Sequence, residues 1–103
     1  MRIVRLYKHL SEEKNEKILS KQLLKSGTSI GANISESVYA SSKSDFVDKL
    51  SIAQKEAAET EYRLDLLSGA EFITETQYQS LIIDCRELLM LLASTIKKCK
   101  QKE

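Results

Sequence analysis

Between Lys21 and Ser37 apolar residues return at helical spacing although two glycines stand among them. Leu23, Ile30, Ile34 and Val38 mark one face, and Gly27, Gly31 and Ser35 fall four apart on a neighbouring one. Each glycine costs about 1 kcal/mol of helix propensity relative to alanine. A chain with no proline that keeps two glycines inside one helix is read as using them for packing, because their bare face is a groove where another backbone can come close. Ala53 and Ala57, also four apart, offer the matching small face on a later helix. The pattern predicts that Gly27 and Gly31 meet Ala53 and Ala57, and that Gly31→Leu overpacks that contact at a cost of roughly 1–3 kcal/mol.

The same spacing organises the rest of the chain. Ile3, Leu6, Tyr7 and Leu10 form a short stripe that stops at Ser11-Glu12-Glu13, the form of a serine N-cap with carboxylates in the following first turn. The second helix is predicted from there to about Val38, near 40 Å at 1.5 Å per residue, with Ile18, Leu19, Leu23, Ile30 and Ile34 inward. Residues 39–43 connect. Ser42-x-x-Asp45 has the form of a capping box and opens a third helix carrying Phe46, Leu50, Ala53, Ala57, Leu64 and Leu67, with Gly69 placed as its stop. Thr74-x-x-Gln77 opens a fourth, with Ile73 and Tyr78 at the staple positions. Its face, Tyr78, Leu81, Cys85, Leu88, Leu92, Ile96 and Cys99, is nearly a strict heptad, the mark of near-parallel packing. Short connections make consecutive helices antiparallel. The expectation is an all-α, up-down-up-down four-helix bundle with a short first helix, one domain over 1–103.

The runs SGTSIGANISES (26–37) and KSDFVDKLSIAQKEAAETEYRLDLL (43–67) resemble the rRNA intervening-sequence proteins. These are small bacterial four-helix-bundle proteins related to accessory proteins of diversity-generating retroelements. The likeness extends from about Arg2 to Lys98, although the stretch before Ser11 is shorter than most members' first helix. It implies a homo-oligomer, a five-fold ring of bundles, and RNA, DNA or a nucleic-acid enzyme as partner.

Several chemistries are disfavoured by what the chain lacks. Lys25-Ser-Gly-Thr-Ser-Ile-Gly is no phosphate loop, since neither the terminal Gly-Lys-Ser/Thr nor a preceding strand is present. Glu56, Glu59, Glu61 and Asp65 are read as a solvated acidic face, because a di-iron bundle needs Glu-x-x-His pairs and the one histidine is His9. Asn33 and Glu59 lie beside the apolar stripes and are expected to fix register by hydrogen bonding. Cys85 and Cys99, fourteen residues apart in one helix, are about 21 Å apart, too far to bridge. They are read as structural thiols, and no zinc pattern is present. No catalytic residue, cofactor, metal or small-molecule substrate is therefore expected. No run approaches roughly 18 apolar residues, and Met-Arg-Ile-Val-Arg-Leu-Tyr-Lys has no leader-like apolar stretch, so the chain is read as cytoplasmic, with no membrane partner.

Charge is unevenly placed. Residues 1–25 carry net +4, residues 26–96 net −6 and residues 97–103 net +3. In the expected topology Lys97, Lys98, Lys100 and Lys102 gather near Lys43, while Glu12, Glu13, Glu71 and Glu75 occupy the other end. Lysines at a helix C-terminus are favoured by its dipole, and clustered lysines also attract nucleic acid without reading sequence. The aromatics form no evident stacking platform. Ile52, Tyr62 and Leu66 on helix three and Ile83 and Met90 on helix four add apolar surface outside the main stripes, consistent with self-association. The functional expectation is an oligomeric adaptor that binds RNA or DNA weakly. The competing reading is a structural or protein–protein interaction module with a polypeptide partner.

Overall fold

The computed structural model describes residues 2–101. Four helices follow one another: α1 (Arg2–Glu12), α2 (Ile18–Ser37), α3 (Lys43–Gly69) and α4 (Glu75–Gln101). Each packs along the next, α1 on α2, α2 on α3 and α3 on α4, giving a four-helix bundle of 48 × 21 × 17 Å. Among the described residues there is no strand.

The first break does not fall where Ser11 predicted it. α1 continues through Ser11, and the chain then turns at Asn15, whose φ of 54° is left-handed and tolerated by asparagine. The Glu16 amide returns to the Leu10 carbonyl at 2.8 Å. Glu16 then caps α2 from outside the helix. Its carboxylate accepts from the Ile18 and Leu19 amides at 2.7 Å and from the Ser20 amide at 3.1 Å, and Ser20 Oγ donates back to the Glu16 carbonyl. Three first-turn donors that have no partner within the helix are thus satisfied by one buried carboxylate. With 20 residues, α2 is about 30 Å long rather than 40.

The later caps follow the sequence more closely. Ser42 Oγ accepts from the Asp45 amide at 3.0 Å, while Asp45 accepts from Ser41 rather than from Ser42. Thr74 and Gln77 form a full reciprocal box, at 3.1 and 2.8 Å, flanked by Ile73 and Tyr78 in the core. α3 ends at Gly69 as expected, but Gly69 is not the left-handed residue of the stop. Glu71 is, with φ 63°. Its amide bonds the Ser68 carbonyl and the Phe72 amide bonds that of Leu67, the paired closure of a Schellman motif, with Phe72 packing against the cluster that holds Leu67.

Two apolar clusters run along the axis. Leu6, Leu10, Leu23, Leu64, Leu67, Ile73 and Ile82 fill the half that contains α1. Ile30, Leu50, Ala53, Ala57, Leu92 and Ile96 fill the half beyond it, where only α2, α3 and α4 meet. A buried hydrogen bond, Thr60 Oγ1 to Ser26 Oγ at 3.0 Å, joins α2 to α3 and fixes their register. That role was expected of Asn33 and Glu59, but Asn33 donates within its own helix to Ser29.

The glycines also act differently from expectation. A Cβ on Gly27 would stand 2.8 Å from Ile3 Cγ2, so its bare backbone admits a side chain of α1 rather than the alanines of α3. A Cβ on Gly31 would meet nothing within 4 Å, so the predicted overpacking there does not apply. Ala53 and Ala57 are fully buried, packed with Ile30, Leu92 and Ile96. Two residues placed inward, Ile18 and Val38, are each 73% exposed.

Candidate nucleic-acid interface

Because α3 and α4 are antiparallel, the start of α3 and the end of α4 share one end of the bundle. Phe46, Val47 and Leu50 pack there against Leu92 and Ile96. With Ile96 pinned in the core, Lys97, Lys98 and Lys100 of the last turns are exposed, as is Lys43 at the first position of α3. Lys97 and Lys100 flank a shallow groove of about 430 Å³ whose other walls include Gln54 and Ala93. Lys102 lies outside the described residues.

The ion pairs among the described residues are Arg2–Asp84, His9–Glu13, Lys49–Glu36 and Arg86–Glu61, so none takes up Lys43, Lys97, Lys98 or Lys100. At this end Glu36 is neutralised by Lys49 at 3.3 Å. Asp45 and Asp48 are the acidic side chains that remain on the first turns of α3, and the four lysines outnumber them. The opposite end is less acidic than the sequence implied, since Lys14 and Lys17 join Glu13 and Glu16 in the first connection beside Glu71.

Sequence reasoning missed one feature of the basic end. Tyr39, read as part of a polar connection, is 85% exposed next to Val38. Ser37 is buried instead and donates to the Ile34 carbonyl at 2.6 Å, which turns the two following side chains outward. A clue was available in the composition of the tract, where Tyr39 is its one large ring.

The other groups with chemical potential are structurally engaged. Glu61 pairs with Arg86 at 3.3 Å, and Asp65 accepts the Tyr78 hydroxyl, a bond that raises the Tyr78 pKa. Among the described residues no three His, Cys, Asp or Glu side chains stand close enough to hold a metal ion. Cys85 Sγ donates to the Ala57 carbonyl at 3.2 Å; burial, followed by the nearby Glu61 charge, pushes its thiol up to about 11, which leaves it protonated and unreactive near neutral pH. Gly27 and Gly31 lie inside a continuous helix, so their amides are not gathered into an anion loop. No helix among the described residues is long and apolar enough to cross a membrane.

Between α2 and α4, beyond the point where α1 begins, an apolar groove of about 280 Å³ remains open over Ile30, Gly31, Ile34 and Leu88. Arg2 closes one edge of it by pairing with Asp84 and donating to Ser80 Oγ at 2.7 Å.

The geometry defines a small all-α bundle with one basic end. More particularly, the model of the 23S rRNA-intervening sequence protein family matches residues 1–94, and the chain belongs to that family. It is similar, at 56% identity and a TM-score of 0.92, to the crystal structure of a protein of unknown function from the S23 ribosomal protein family of Bacteroides thetaiotaomicron. That likeness covers 93% of this chain and 86% of the other. The comparison with curated proteins returns no match.

Proposed function

We propose that the protein is a non-enzymatic, self-associating bundle that holds RNA or DNA by its phosphates, without reading sequence. The observation that carries this is the set of exposed lysines at one end, Lys43, Lys97, Lys98 and Lys100, outside the ion pairs of the described residues; Lys102 continues the run in sequence. The family's name, which refers to rRNA, points the same way. Such contacts act through charge and counterion release. The family resemblance adds a nucleic-acid enzyme as an alternative partner.

Self-association is supported by Ile83, Met90 and Leu91 on the outer side of α4 and by Ile52 and Tyr62 on α3, all of them large apolar side chains left in solvent. The five-fold ring rests on the family likeness. A ring that aligned the α4 termini would join the lysines of every copy into one annulus, so a field too weak in a monomer would suffice for a phosphate backbone. Assembly would create the site.

The test replaces Lys97, Lys98, Lys100 and Lys102 by glutamine and compares filter retention of unrelated RNA and DNA across salt. The variant keeps its fold and assembled mass but loses retention, whereas wild-type binding falls steeply from low to physiological salt, with a log–log slope of roughly −0.7 to −0.9 per phosphate contact. Equal retention by the two proteins, or retention indifferent to salt, overturns the reading. The protein-interaction alternative, favoured by the open apolar groove beside Gly31, would then take its place. By light scattering the mass should stand well above the 11.7 kDa of one chain, and a monomer at every concentration removes the assembly.

A further inference from the structure

The lysine-bearing end also carries a ring that the protein itself does not use. Tyr39 is 85% exposed, more than any other large apolar or aromatic side chain of the described residues. It belongs to neither apolar cluster. Its backbone is nevertheless held. The Tyr39 amide bonds the Glu36 carbonyl at 3.1 Å and the Ala40 amide bonds that of Ser37 at 3.2 Å. Two residues on, the Ser41 amide bonds Asp45, and Ser42 caps α3. Glu36 is tied in turn to Lys49 of α3. The backbone that carries the ring is therefore already ordered, so that part of the entropy cost of contacting a ligand is spent in advance, and Val38 beside it, also exposed, adds apolar surface.

Resting on the nucleic-acid reading above, we propose that Tyr39 is a stacking platform for an unpaired base, and that the basic end takes single-stranded nucleic acid in preference to duplex. Lysines alone attract both forms, because each presents a phosphate backbone. A free ring separates them. Bases in a duplex have both faces covered by their neighbours, whereas a single strand offers a bare π-face that any aromatic side chain can cover irrespective of sequence. Tyr39 lies four residues before Lys43, in the connection that leads into α3 at the end of the bundle where the lysines lie, so ring and phosphate-binding charge share one end. The phenol hydroxyl is not needed for this. Phenylalanine should serve equally well.

The experiment measures anisotropy of a labelled oligothymidylate and of a duplex of matched length, with the full chain as wild type, Tyr39→Ala and Tyr39→Phe. Sedimentation of each variant is recorded alongside. Wild type binds the single strand more tightly. Tyr39→Ala loses roughly tenfold or more of that affinity, with duplex binding, salt slope and assembled mass unchanged, and Tyr39→Phe retains it. If Tyr39→Ala binds the single strand as wild type does, the platform is refuted while the lysine reading survives. A change of assembled mass in Tyr39→Ala also refutes it, because the ring then lies in a contact between copies. If wild type retains neither probe, both readings fall together.

Discussion

Alanine at the two glycines of α2 separates helix propensity from packing, because the substitution is the same and the surroundings are not. At either position alanine brings about 1 kcal/mol of helix propensity. At Gly31 the new Cβ meets nothing within 4 Å, so the gain is realised whole. For a domain of this size that raises Tm by roughly 4–8 °C. At Gly27 the Cβ would stand 2.8, 3.2 and 3.4 Å from Cγ2, Cγ1 and Cβ of Ile3. All three are Cβ or bonded directly to it, so the side chain cannot simply swing clear and the first turn of α1 must shift. Overpacking of this kind costs about 1–3 kcal/mol, which cancels the propensity gain or reverses it. Gly31→Ala is therefore expected to be the more stable of the two by about 1–3 kcal/mol in urea unfolding, with light scattering run beside it. In the Ile3→Ala background the penalty at Gly27 should vanish, which a double-mutant cycle reads as coupling between the sites. Equal stability of the two single variants would refute the assignment of Ile3 as the partner of Gly27. Destabilisation by Gly31→Ala with a fall in assembled mass would show that a second copy covers the open face.

Three further outcomes are expected. Glu16→Ala removes the acceptor of the Ile18, Leu19 and Ser20 amides and should cost about 1–2 kcal/mol, with faster hydrogen exchange at those three amides; unchanged exchange would show that water replaces the cap. Glu71→Gly relieves a left-handed φ of 63° and should raise stability by roughly 1 kcal/mol in thermal unfolding, whereas Gly69→Ala, at a position without positive φ, should not destabilise. Cys85, held up to about 11 against an ordinary value of 9.0, should resist alkylation in the folded protein at pH 8. Its folded-state value is the higher one, so its contribution to stability is complete below pH 9.0 and declines as pH rises toward 11. Cys85→Ser should flatten that decline.

What the sequence conveyed about the helices depended on how unambiguous each start was. At Thr74 and Ser42 the hydroxyl stands three residues before a side chain of the capping-box kind, Gln77 or Asp45, and α4 and α3 begin beside them. At the start of α2 the serine signal misled. Ser11-Glu12-Glu13 has the better form, but the cap that forms is Glu16, a residue whose role depends on Asn15 turning left-handed and bringing the carboxylate over the next helix. Ile18, at the first position of α2, lies about 140° round the helix from Leu23, and Val38 falls at the C-cap just beyond the last helical residue, so both are left in solvent. On α4 the heptad placed Leu81 on the inner face, yet Ile82 is the fully buried residue. The lysine end was legible because antiparallel topology alone unites Lys43 with the end of α4. Tyr39 was not, because the outward turn of a connection is set by the final rotation of the helix before it.

The brevity of α1 leaves it the least anchored of the four helices. Its backbone lies beside α2 alone. On the α4 side it is attached by the tips of side chains, Arg2 at Ser80 and Asp84, while Leu6 and Leu10 seat it in the core. An eleven-residue element with one backbone neighbour and a turn after its last residue has the character of a foldon at the low end of a protein's stability ladder. Were it to lift, Leu23, Leu64 and Ile82 would be uncovered in line with the groove over Ile30 and Ile34. The exposed strip would then run along most of α2, so the three longer helices constitute a cradle and α1 its partial lid.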